Sequence, residues 1–350
     1  MKQERQHLFG DMAELWLKRL SPELKASSEA KYRNILNGHL LPAFGAQPVT
    51  AITREQAEDF RLKLLWASAG EEALLSSQTA AAILSIFKRI MAFASRETGL
   101  PVVDTSDLAV RQSTKPLRVF SREEQRAISQ YVVQHGSLAD AGILLSLYTG
   151  LRIGEVCALR WKCISLDSQS LLVEKTMQRV QAFREDSVAR KNSTEKALAP
   201  AKRRRPKYAR TNVVITEPKS ACSVRSIPLP DALTAALKPL EAPPDCFLLT
   251  GKPDHFVEPR TLENHFVHVM DACGIKGATF HTCRHTFATR CIELGFDMKS
   301  LSEILGHANV NITLNRYVHP SMEFKRENMN KVSGLFLKDQ GKVRVRKKGK

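Results

Sequence analysis

The spacing of apolar residues divides this chain of 350 residues into three parts. In the first hundred residues, apolar side chains recur at every third or fourth position, which predicts amphipathic helices at 9–20 and 79–94. A further helix over 27–40 is expected to stop at Pro42. The spacing is lost from 99 to 118, where two prolines occur and the composition is typical of a linker. We therefore predict a helical domain over residues 1–100, a linker over 101–118 and a second domain over 119–335.

The second domain combines helical and strand-like patterns. Ser121 and Glu124 have capping-box spacing and open a helix that should end near His135, and the next helix should end at Gly150. The β-branched composition then predicts strands, and helical spacing returns after Pro230. The predicted strands are 171–180 and 212–229, and the later helices are 259–273, 281–294 and 298–305. The expected fold is mainly α with a small antiparallel β-sheet.

Charge indicates the class of partner. Lys and Arg number 53 against 36 Asp and Glu, a net charge of +17, which favours a polyanion: nucleic acid first and an acidic membrane surface second. Residues 175–210 hold twelve basic and three acidic side chains, and the last fifteen residues hold seven and one. We interpret 175–212 as a basic insertion, expected to be an exposed loop, and 336–350 as a basic C-terminal tail.

Several classes of protein are excluded by simple counts. No apolar run approaches the roughly 18 residues that a membrane-spanning helix needs, and the N-terminus lacks a signal-peptide core, so we expect a cytoplasmic protein. The seven cysteines are odd in number and form no C-x-x-C pair, which argues against a disulfide framework and a structural zinc site.

A small set of polar residues occurs in the second domain within short, distinctive motifs. Taken singly, each has an ordinary structural explanation, such as a salt bridge at a helix start or a cap at a helix end. The set comprises Arg152 in TGLRIGE, Lys219 in EPKSACSVRSIPL, His281 and Arg284 in HTCRH, His307 in LGHANV and Tyr317 in LNRYVH.

The order Arg, Lys, His-x-x-Arg, Leu-Gly-His, Tyr resembles that of the tyrosine recombinase family, also called phage integrases. The resemblance covers nearly the whole chain: residues 119–335 are similar to the family's catalytic domain. The helical first domain, with WL near its start and LLPAFG at 40–45, is similar to the SAM-like core-binding domain. The resemblance implies a two-domain, C-shaped clamp that closes around duplex DNA.

The resemblance also implies a role for each motif residue. Arg152 and Arg284 would clamp the scissile phosphate with His307 as a third donor, which suits the anionic centre of a phosphodiester transfer. Tyr317 would attack phosphorus and form a 3′-phosphotyrosyl intermediate, and because that bond conserves energy, no ATP is needed. Lys219 would protonate the leaving oxygen and His281 would assist the tyrosine as base. The sequence shows no D-x-D or paired-carboxylate pattern for Mg²⁺, and we expect no cofactor and no metal.

Three details of the motifs leave alternatives open. Lys219 follows Arg152 by 67 residues, with several other lysines between them, so its selection rests on the local PKSACSVRSIPL motif. Glu155 either orients Arg152 or is a simple surface acid. HTCRH brings His281, Cys283 and His285 close together, but a zinc site would lack the glutamate of H-E-x-x-H and a fourth ligand, so we expect His285 to pack inside its helix.

These features together predict a site-specific DNA recombinase, the integrase of a phage or conjugative element in a bacterium. The spacing from His307 to Tyr317 resembles the conjugative-transposon branch. The expected partners are duplex DNA with inverted-repeat core sites, a homo-tetramer on synapsed DNA, and an excisionase or DNA-bending host factor. Phosphates flanking the core site are expected to bind Arg203, Arg204, Arg205 and Lys207. The alternatives are a chromosome or plasmid dimer resolvase, a type IB topoisomerase and a catalytically silent DNA-binding relative.

Overall fold

A computed structural model describes residues 7–65, 75–111, 117–181, 211–217 and 221–317, together with Arg326, Met329 and Asn330. The chain separates into two compact units. The first comprises Met1–Pro116 with Arg179–Asn212, and the second comprises Leu117–Gln178 with Val213–Lys350. Each unit has its own hydrophobic core.

The N-terminal part of the first unit is helical, as its apolar spacing predicts. Four phenylalanines lie at the centre of its core, and the Phe44 ring contacts those of Phe9, Phe60 and Phe87 at centroid distances of 4.9 to 5.8 Å. Aromatic side chains supply much of the burial that holds such a small domain together. Its helices are α1 (Phe9–Leu20), α2 (Ala26–Ile35), α3 (Leu41–Phe44), α4 (Arg54–Leu65) and α5 (Ser77–Thr98).

The prediction that Pro42 ends a helix was wrong. After α2 the chain makes one π-helical turn, Leu36–Leu40, and continues directly into α3, where Pro42 lies in the first turn. Backbone N–H groups in a first helical turn have no intrahelical acceptor, so a residue without an N–H is tolerated there. The proline therefore marks a helix start.

The second unit begins with three helices, α6 (Arg122–His135), α7 (Leu138–Thr149) and α8 (Ile153–Ala158). The predicted capping box is present, because the Ser121 backbone N–H donates to the Glu124 carboxylate at 2.8 Å and the Glu124 N–H donates to the Ser121 hydroxyl at 3.1 Å. Nearly every residue of α7 is buried, so this helix forms the centre of the unit.

Two small sheets follow. Strands β1 (Ile164–Ser165), β2 (Ser170–Val173) and β5 (Arg225–Pro228) form an antiparallel sheet in the order β1-β2-β5, and Val173 is paired with Arg225. Strands β3 (Thr176–Gln181) and β4 (Thr211–Thr216) pair with each other.

Three predictions in this region need correction. The strand predicted at 212–229 is two separate strands, β4 and β5, with a 3₁₀ turn at Ala221–Ser223 between them. The strand predicted at 171–180 is interrupted at residues 174 and 175, and the insertion predicted at 175–212 as an exposed loop begins and ends in paired strands. The β-branched residues at its two ends favour strand pairing over a loop. Residues 182–210 lie outside the described part of the chain.

The remaining helices complete the second core. Helix α11 (Phe280–Glu293) packs on α7. A smaller apolar cluster joins α11 to α12 (Met298–Leu305) and α13 (Val310–Tyr317) through Cys291, Leu305 and Tyr317. These helices follow α9 (Asp231–Leu237) and α10 (Pro259–Ala272). The predicted fold class, mainly α with small antiparallel sheets, is confirmed. Among the described helices, none has the length and apolar character needed to cross a membrane.

Candidate active site

Five of the six predicted catalytic residues lie at the ends of helices in the second unit. Arg152 directly precedes α8, His281 and Arg284 lie in the first turns of α11, and His307 follows α12. Tyr317 is the last residue of α13. The sixth residue, Lys219, and the predicted phosphate contacts Arg203, Arg204, Arg205 and Lys207 lie outside the described residues.

The C-terminus of α12 brings the arginines together. Three successive backbone carbonyls at this end each accept a hydrogen bond from an arginine of a different element. The bonds run from Arg225 Nε to Ile304 O (2.6 Å), from Arg284 Nη2 to Leu305 O (2.7 Å) and from Arg152 Nη2 to Gly306 O (3.4 Å). Carbonyls at a helix C-terminus have no intrahelical donor and carry partial negative charge, so they stabilise a cluster of cations that would otherwise repel one another.

Arg284 is held entirely inside the protein. Only 1% of its surface is exposed, and Nη1 donates to the Gly150 carbonyl at 2.8 Å. Burial, followed by the charge of neighbouring Arg152, lowers the pKa of Arg284 to about 9, which leaves the guanidinium protonated at neutral pH. A buried cation satisfied by carbonyls rather than by a carboxylate retains a strong attraction for an incoming anion.

The hydrogen bonds of His307 define its tautomer. Arg284 Nη2 lies 2.8 Å from His307 Nε2, and since a guanidinium can only donate, Nε2 is the acceptor. The ring proton is therefore on Nδ1, which lies 2.8 Å from Thr313 Oγ1 and donates to it. Both ring nitrogens are therefore engaged within the protein, one by Arg284 and the other by Thr313 of α13. In this arrangement the imidazole has no N–H left for a phosphate, so the role of His307 as a third donor stays a prediction.

Glu155 is a buried linker between two arginines, and the surface-acid alternative does not fit the structure. Its side chain is 4% exposed and accepts from Arg152 Nη1 at 2.8 Å and from the Arg152 backbone N–H at 3.0 Å. Arg225 Nη1 and Nη2 donate to the two carboxylate oxygens at 3.2 and 2.9 Å. Burial opposes ionisation, but the Arg225 hydrogen bond and the charges of both arginines outweigh it and lower the pKa of Glu155.

Two motif glycines have a steric explanation. Gly150 and Gly306 end α7 and α12 with φ of +69° and +63°, in the left-handed region that L side chains avoid. A Cβ on Gly150 would lie 2.7 Å from the Phe287 ring, and a Cβ on Gly306 would lie 2.9 Å from Arg225 Nη1. Gly306 therefore lets Arg225 approach the end of α12 closely, whereas Gly150 lets the side chains of Phe287 and Leu305 pack against the end of α7.

The tyrosine is adjacent to this cluster. Its side chain is 8% exposed, and its ring is nearly parallel to that of His307 at a centroid distance of 6.4 Å. The Tyr317 hydroxyl lies 3.0 Å from His285 Nδ1. His281 is exposed, with its ring 4.5 Å from that of His285. The expectation for His285 was therefore incomplete: it is buried in its helix as expected, but its ring nitrogen meets the tyrosine.

Sequence reasoning missed two residues of this site, Arg225 and His285. Arg225 occupies an inward-facing position of β5, where an arginine is unusual, and that alternation was the available signal. His285 lies one helical turn after His281 and so has a ring on the same side of α11.

The zinc hypothesis for HTCRH finds no ligand set in the described part of the chain. Cys283 is completely buried, and burial raises the pKa of its thiol to about 12, which disfavours the thiolate that a metal would need. Across the residues the structure describes, no three or more His, Cys, Asp or Glu side chains are grouped as metal ligands.

Comparison with known protein families shows to which family the chain belongs. The model of the "Phage integrase family" matches residues 118–323, and that of the "Phage integrase, N-terminal SAM-like domain" matches residues 8–65. The chain belongs to the phage integrase family. The predicted resemblance to tyrosine recombinases is thereby confirmed, and the polar cluster lies within the matched region of this integrase-family protein.

Relatives of the integrase-family protein are similar over most of its length. A "Tyrosine recombinase XerC-like" protein of Caldanaerobacter subterraneus subsp. tengcongensis is 25% identical, covering 94% of this chain and 83% of that one. A structure of the Tn1549 transposon integrase in complex with transposon right end DNA has a TM-score of 0.68 at 20% identity, covering 92% and 99% of the two chains. A lambda integrase tetramer bound to a Holliday junction has a TM-score of 0.62 at 14% identity, covering 92% and 82%. These structures share the fold.

Proposed function

We propose that this member of the phage integrase family is a site-specific DNA recombinase, the integrase of a mobile genetic element. It cleaves and rejoins DNA strands through a covalent 3′-phosphotyrosyl intermediate, without metal or ATP. The convergence of Arg152, Arg284 and His307 beside the buried Tyr317 carries the proposal. A packed core gives no reason to gather two guanidinium groups, an imidazole and a phenol at one helix end.

The arginines supply the positive charge that the reaction needs. A phosphodiester under attack develops charge on its non-bridging oxygens, and pre-positioned donors stabilise that charge without reorganising. Guanidinium groups suit this task because they stay charged and donate two parallel bonds. The side chain of Arg152 is 38% exposed, so it is accessible to bind the phosphate directly. Arg284 is buried and contributes its positive charge from inside the protein.

The tyrosine is the nucleophile. Its phenolic oxygen forms the new bond to phosphorus, the bond from phosphorus to the 5′-oxygen breaks, and the phenolic proton passes to a nearby base. His285 Nδ1, at 3.0 Å, is within reach of that proton, which supports His285 as the acceptor. His281 on the same helix stays a prediction for the same proton transfer, and Lys219 stays the predicted acid for the leaving 5′-oxygen.

The partner is duplex DNA. A lambda integrase dimer bound to a COC' core site supports the binding of two protomers to one core site, and a lambda integrase tetramer bound to a Holliday junction supports a tetramer. The inverted repeat of the core site and the synapsis of two sites stay predictions from the sequence. An excisionase or a DNA-bending host factor, and the closing of the two units around DNA as a clamp, stay predictions from the sequence. So does the binding of flanking phosphates by Arg203, Arg204, Arg205 and Lys207.

A covalent-trapping experiment tests the proposal. The protein is incubated with a pool of nicked suicide duplexes of random core sequence, and adducts are isolated on denaturing gels and sequenced. We expect a covalent adduct at the DNA 3′-phosphate and enrichment of an inverted repeat. Tyr317→Phe should give no adduct, whereas Tyr148→Phe, on an exposed tyrosine, should react as the wild type does. No adduct from the wild type, or an adduct from Tyr317→Phe, would contradict the proposal.

The runner-up is a chromosome or plasmid dimer resolvase, which the XerC-like relative favours. Resolution recombines two copies of the same site, whereas integration joins two non-identical sites. Two kinds of plasmid distinguish these functions. One carries the enriched site twice, and the other carries it once and is offered together with a second, non-identical site. An integrase should exchange strands with the non-identical site. A protein that exchanges only identical sites would be a resolvase.

A further inference from the structure

We propose that Arg225 is a positioning residue for the phosphate-binding groups, an inference that rests on the recombinase function proposed above. Its guanidinium connects β5, which carries it, to α8 through Glu155 and to the end of α12 through Ile304. It orients the side chains on either side of the phosphate and does not itself contact the phosphate.

The contacts of Arg225 occupy four of the five N–H donors of its guanidinium. Nε donates to the Ile304 carbonyl at 2.6 Å, Nη1 to the Ser223 carbonyl at 3.0 Å and Nη1 and Nη2 to Glu155 at 3.2 and 2.9 Å. A guanidinium has five N–H donors in a fixed planar fork, so these four bonds define its orientation. The residue is 8% exposed, which leaves little of it accessible to a DNA phosphate.

Glu155 transmits this orientation to Arg152. The same carboxylate that accepts from Arg225 accepts from Arg152 Nη1 and from the backbone N–H of Arg152. Without Arg225, Glu155 would be free to change its rotamer and would keep Arg152 as its partner in a different geometry. The arginine that faces outward would then approach a phosphate from a shifted position.

The second connection leads to His307. Ile304 lies three residues before this histidine, and the guanidinium of Arg225 packs directly under Gly306, where a Cβ would lie 2.9 Å from Nη1 and 3.1 Å from Cδ. Arg225 therefore fixes the backbone from which His307 projects. A single buried side chain thus sets the relative placement of Arg152 and His307, which lie 155 residues apart in the sequence.

Substitution by lysine tests this role. Arg225→Lys keeps the charge but offers one ammonium in place of the planar fork, so it cannot bind Glu155 and Ile304 in the same geometry. We expect single-turnover cleavage of the suicide duplex to fall about 100-fold, the cost of a misplaced catalytic group. The dissociation constant for the duplex should change by less than about threefold, because the lost interaction acts in the transition state. Arg260→Lys, at an exposed ion pair on α10, is the matched control and should be unaffected.

A chemically modified phosphate distinguishes two roles of Arg225, the positioning of the phosphate-binding groups and the support of the fold. In a methylphosphonate duplex one non-bridging oxygen is replaced by a methyl group, so an arginine has no charged oxygen to bind on that side. Both diastereomers are tested, at a temperature at which circular dichroism shows the variant to be folded. For the diastereomer whose methyl faces the arginines, the penalty of Arg225→Lys should shrink to less than about tenfold, since there is no aligned contact left to lose.

The outcomes are distinct. An equal penalty on the phosphodiester and on both methylphosphonates would mean that Arg225 supports the fold alone, and full activity of Arg225→Lys would also overturn the proposal. If the lysine variant does not fold, Glu155→Gln, which breaks the same link from its other side, should show the same substrate-dependent penalty, and an equal penalty there would refute it. Absence of an adduct from the wild type would instead refute the recombinase function itself.

Discussion

The guanidinium of Arg225 occupies the space that a side chain at Gly306 would need. A Cβ at residue 306 would lie 2.9 Å from Arg225 Nη1, closer than Cβ atoms approach other atoms in proteins, and 3.1 Å from Cδ and Cζ, which is tighter than most Cβ contacts. The glycine of the LGH motif thus meets two demands, since its φ of +63° also favours the absence of a side chain. The same close approach gives Arg225 access to the Ile304 carbonyl.

Alanine at residue 306 should therefore be costly. We expect Gly306→Ala to lower the free energy of unfolding by about 2–4 kcal/mol, combining the strain of a left-handed alanine with overpacking against a buried side chain. Denaturant titration followed by circular dichroism measures this. Gly277→Ala is the control, because φ is +69° there but a Cβ would meet nothing within 4 Å. Gly277→Ala should lower the free energy of unfolding only by the backbone strain, about 1–2 kcal/mol. Equal losses of free energy in the two variants would show that the Arg225 side chain moves aside for the new Cβ without destabilising the protein.

The buried carboxylate of Glu155 predicts a dependence of stability on pH. Its pKa is lowered in the folded protein, so it binds its proton less readily there than in the unfolded chain. The stability that it contributes is complete above the ordinary pKa of a glutamate, about 4.5, and is lost as pH falls through the lower folded-state pKa. Glu155→Gln should cost about 3–5 kcal/mol at pH 7, the cost of breaking a buried ion pair, and the two proteins should converge in acid.

The control for this experiment is the exposed pair of Arg260 and Glu263 on α10, joined at 3.2 Å. Glu263→Gln should change the free energy of unfolding by no more than about 1 kcal/mol, because water and salt screen an exposed pair. If Glu155→Gln were equally mild at pH 7, the carboxylate would not hold the arginines as inferred.

The hydrogen bond between His285 and Tyr317 predicts which histidine assists cleavage. His285→Ala should lower the rate of adduct formation at neutral pH by roughly 10²- to 10⁴-fold, the usual contribution of a positioned base. The deficit should shrink at alkaline pH, where hydroxide removes the phenolic proton without help. Rates are measured on the suicide duplex across a pH series.

His281→Ala and His268→Ala are the comparisons. His268 is exposed on α10, so its substitution should have no effect. A large loss from His281→Ala with none from His285→Ala would return the base to the residue that the sequence favoured. A deficit in His285→Ala that does not change with pH would indicate a packing role.

Helix ends could be predicted from the sequence where the local backbone requires a particular type of residue. The serine and glutamate of a capping box and the glycines that end α7 and α12 were recognisable because each satisfies backbone groups at a helix end. The prediction that Pro42 ends a helix was wrong because a proline is tolerated in the first turn of a helix as well as after its end. Arg152, Arg284, His307 and Tyr317 were found from the order of their motifs, and the structure brings them to one helix end.

The sequence could not predict the contacts made between distant segments. Arg225 meets Glu155 across 70 residues, and His285 meets Tyr317 across 32. Nothing in the local pattern of either segment specifies its partner, because these pairs depend on how β5, α8, α11 and α13 pack together. A buried arginine on a strand and a second histidine in HTCRH were therefore visible as residues but not as parts of the site.

The basic insertion predicts how affinity responds to salt. Replacing Arg203, Arg204 and Arg205 by glutamine should weaken binding to the enriched duplex and to an unrelated duplex by similar factors, because phosphates carry no sequence information. Each phosphate contact contributes about 0.9 to the slope of log K against log salt, so the slope should fall by up to about 2.7 if all three arginines contact the backbone. Binding is measured by fluorescence anisotropy across a salt series.

A matched triple variant at three exposed cations outside the insertion, Lys238, Lys252 and Arg260, should leave the slope unchanged. An equal fall in both would mean that the slope reports net charge alone, and an unchanged slope in the insertion variant would remove the insertion from the DNA-binding surface.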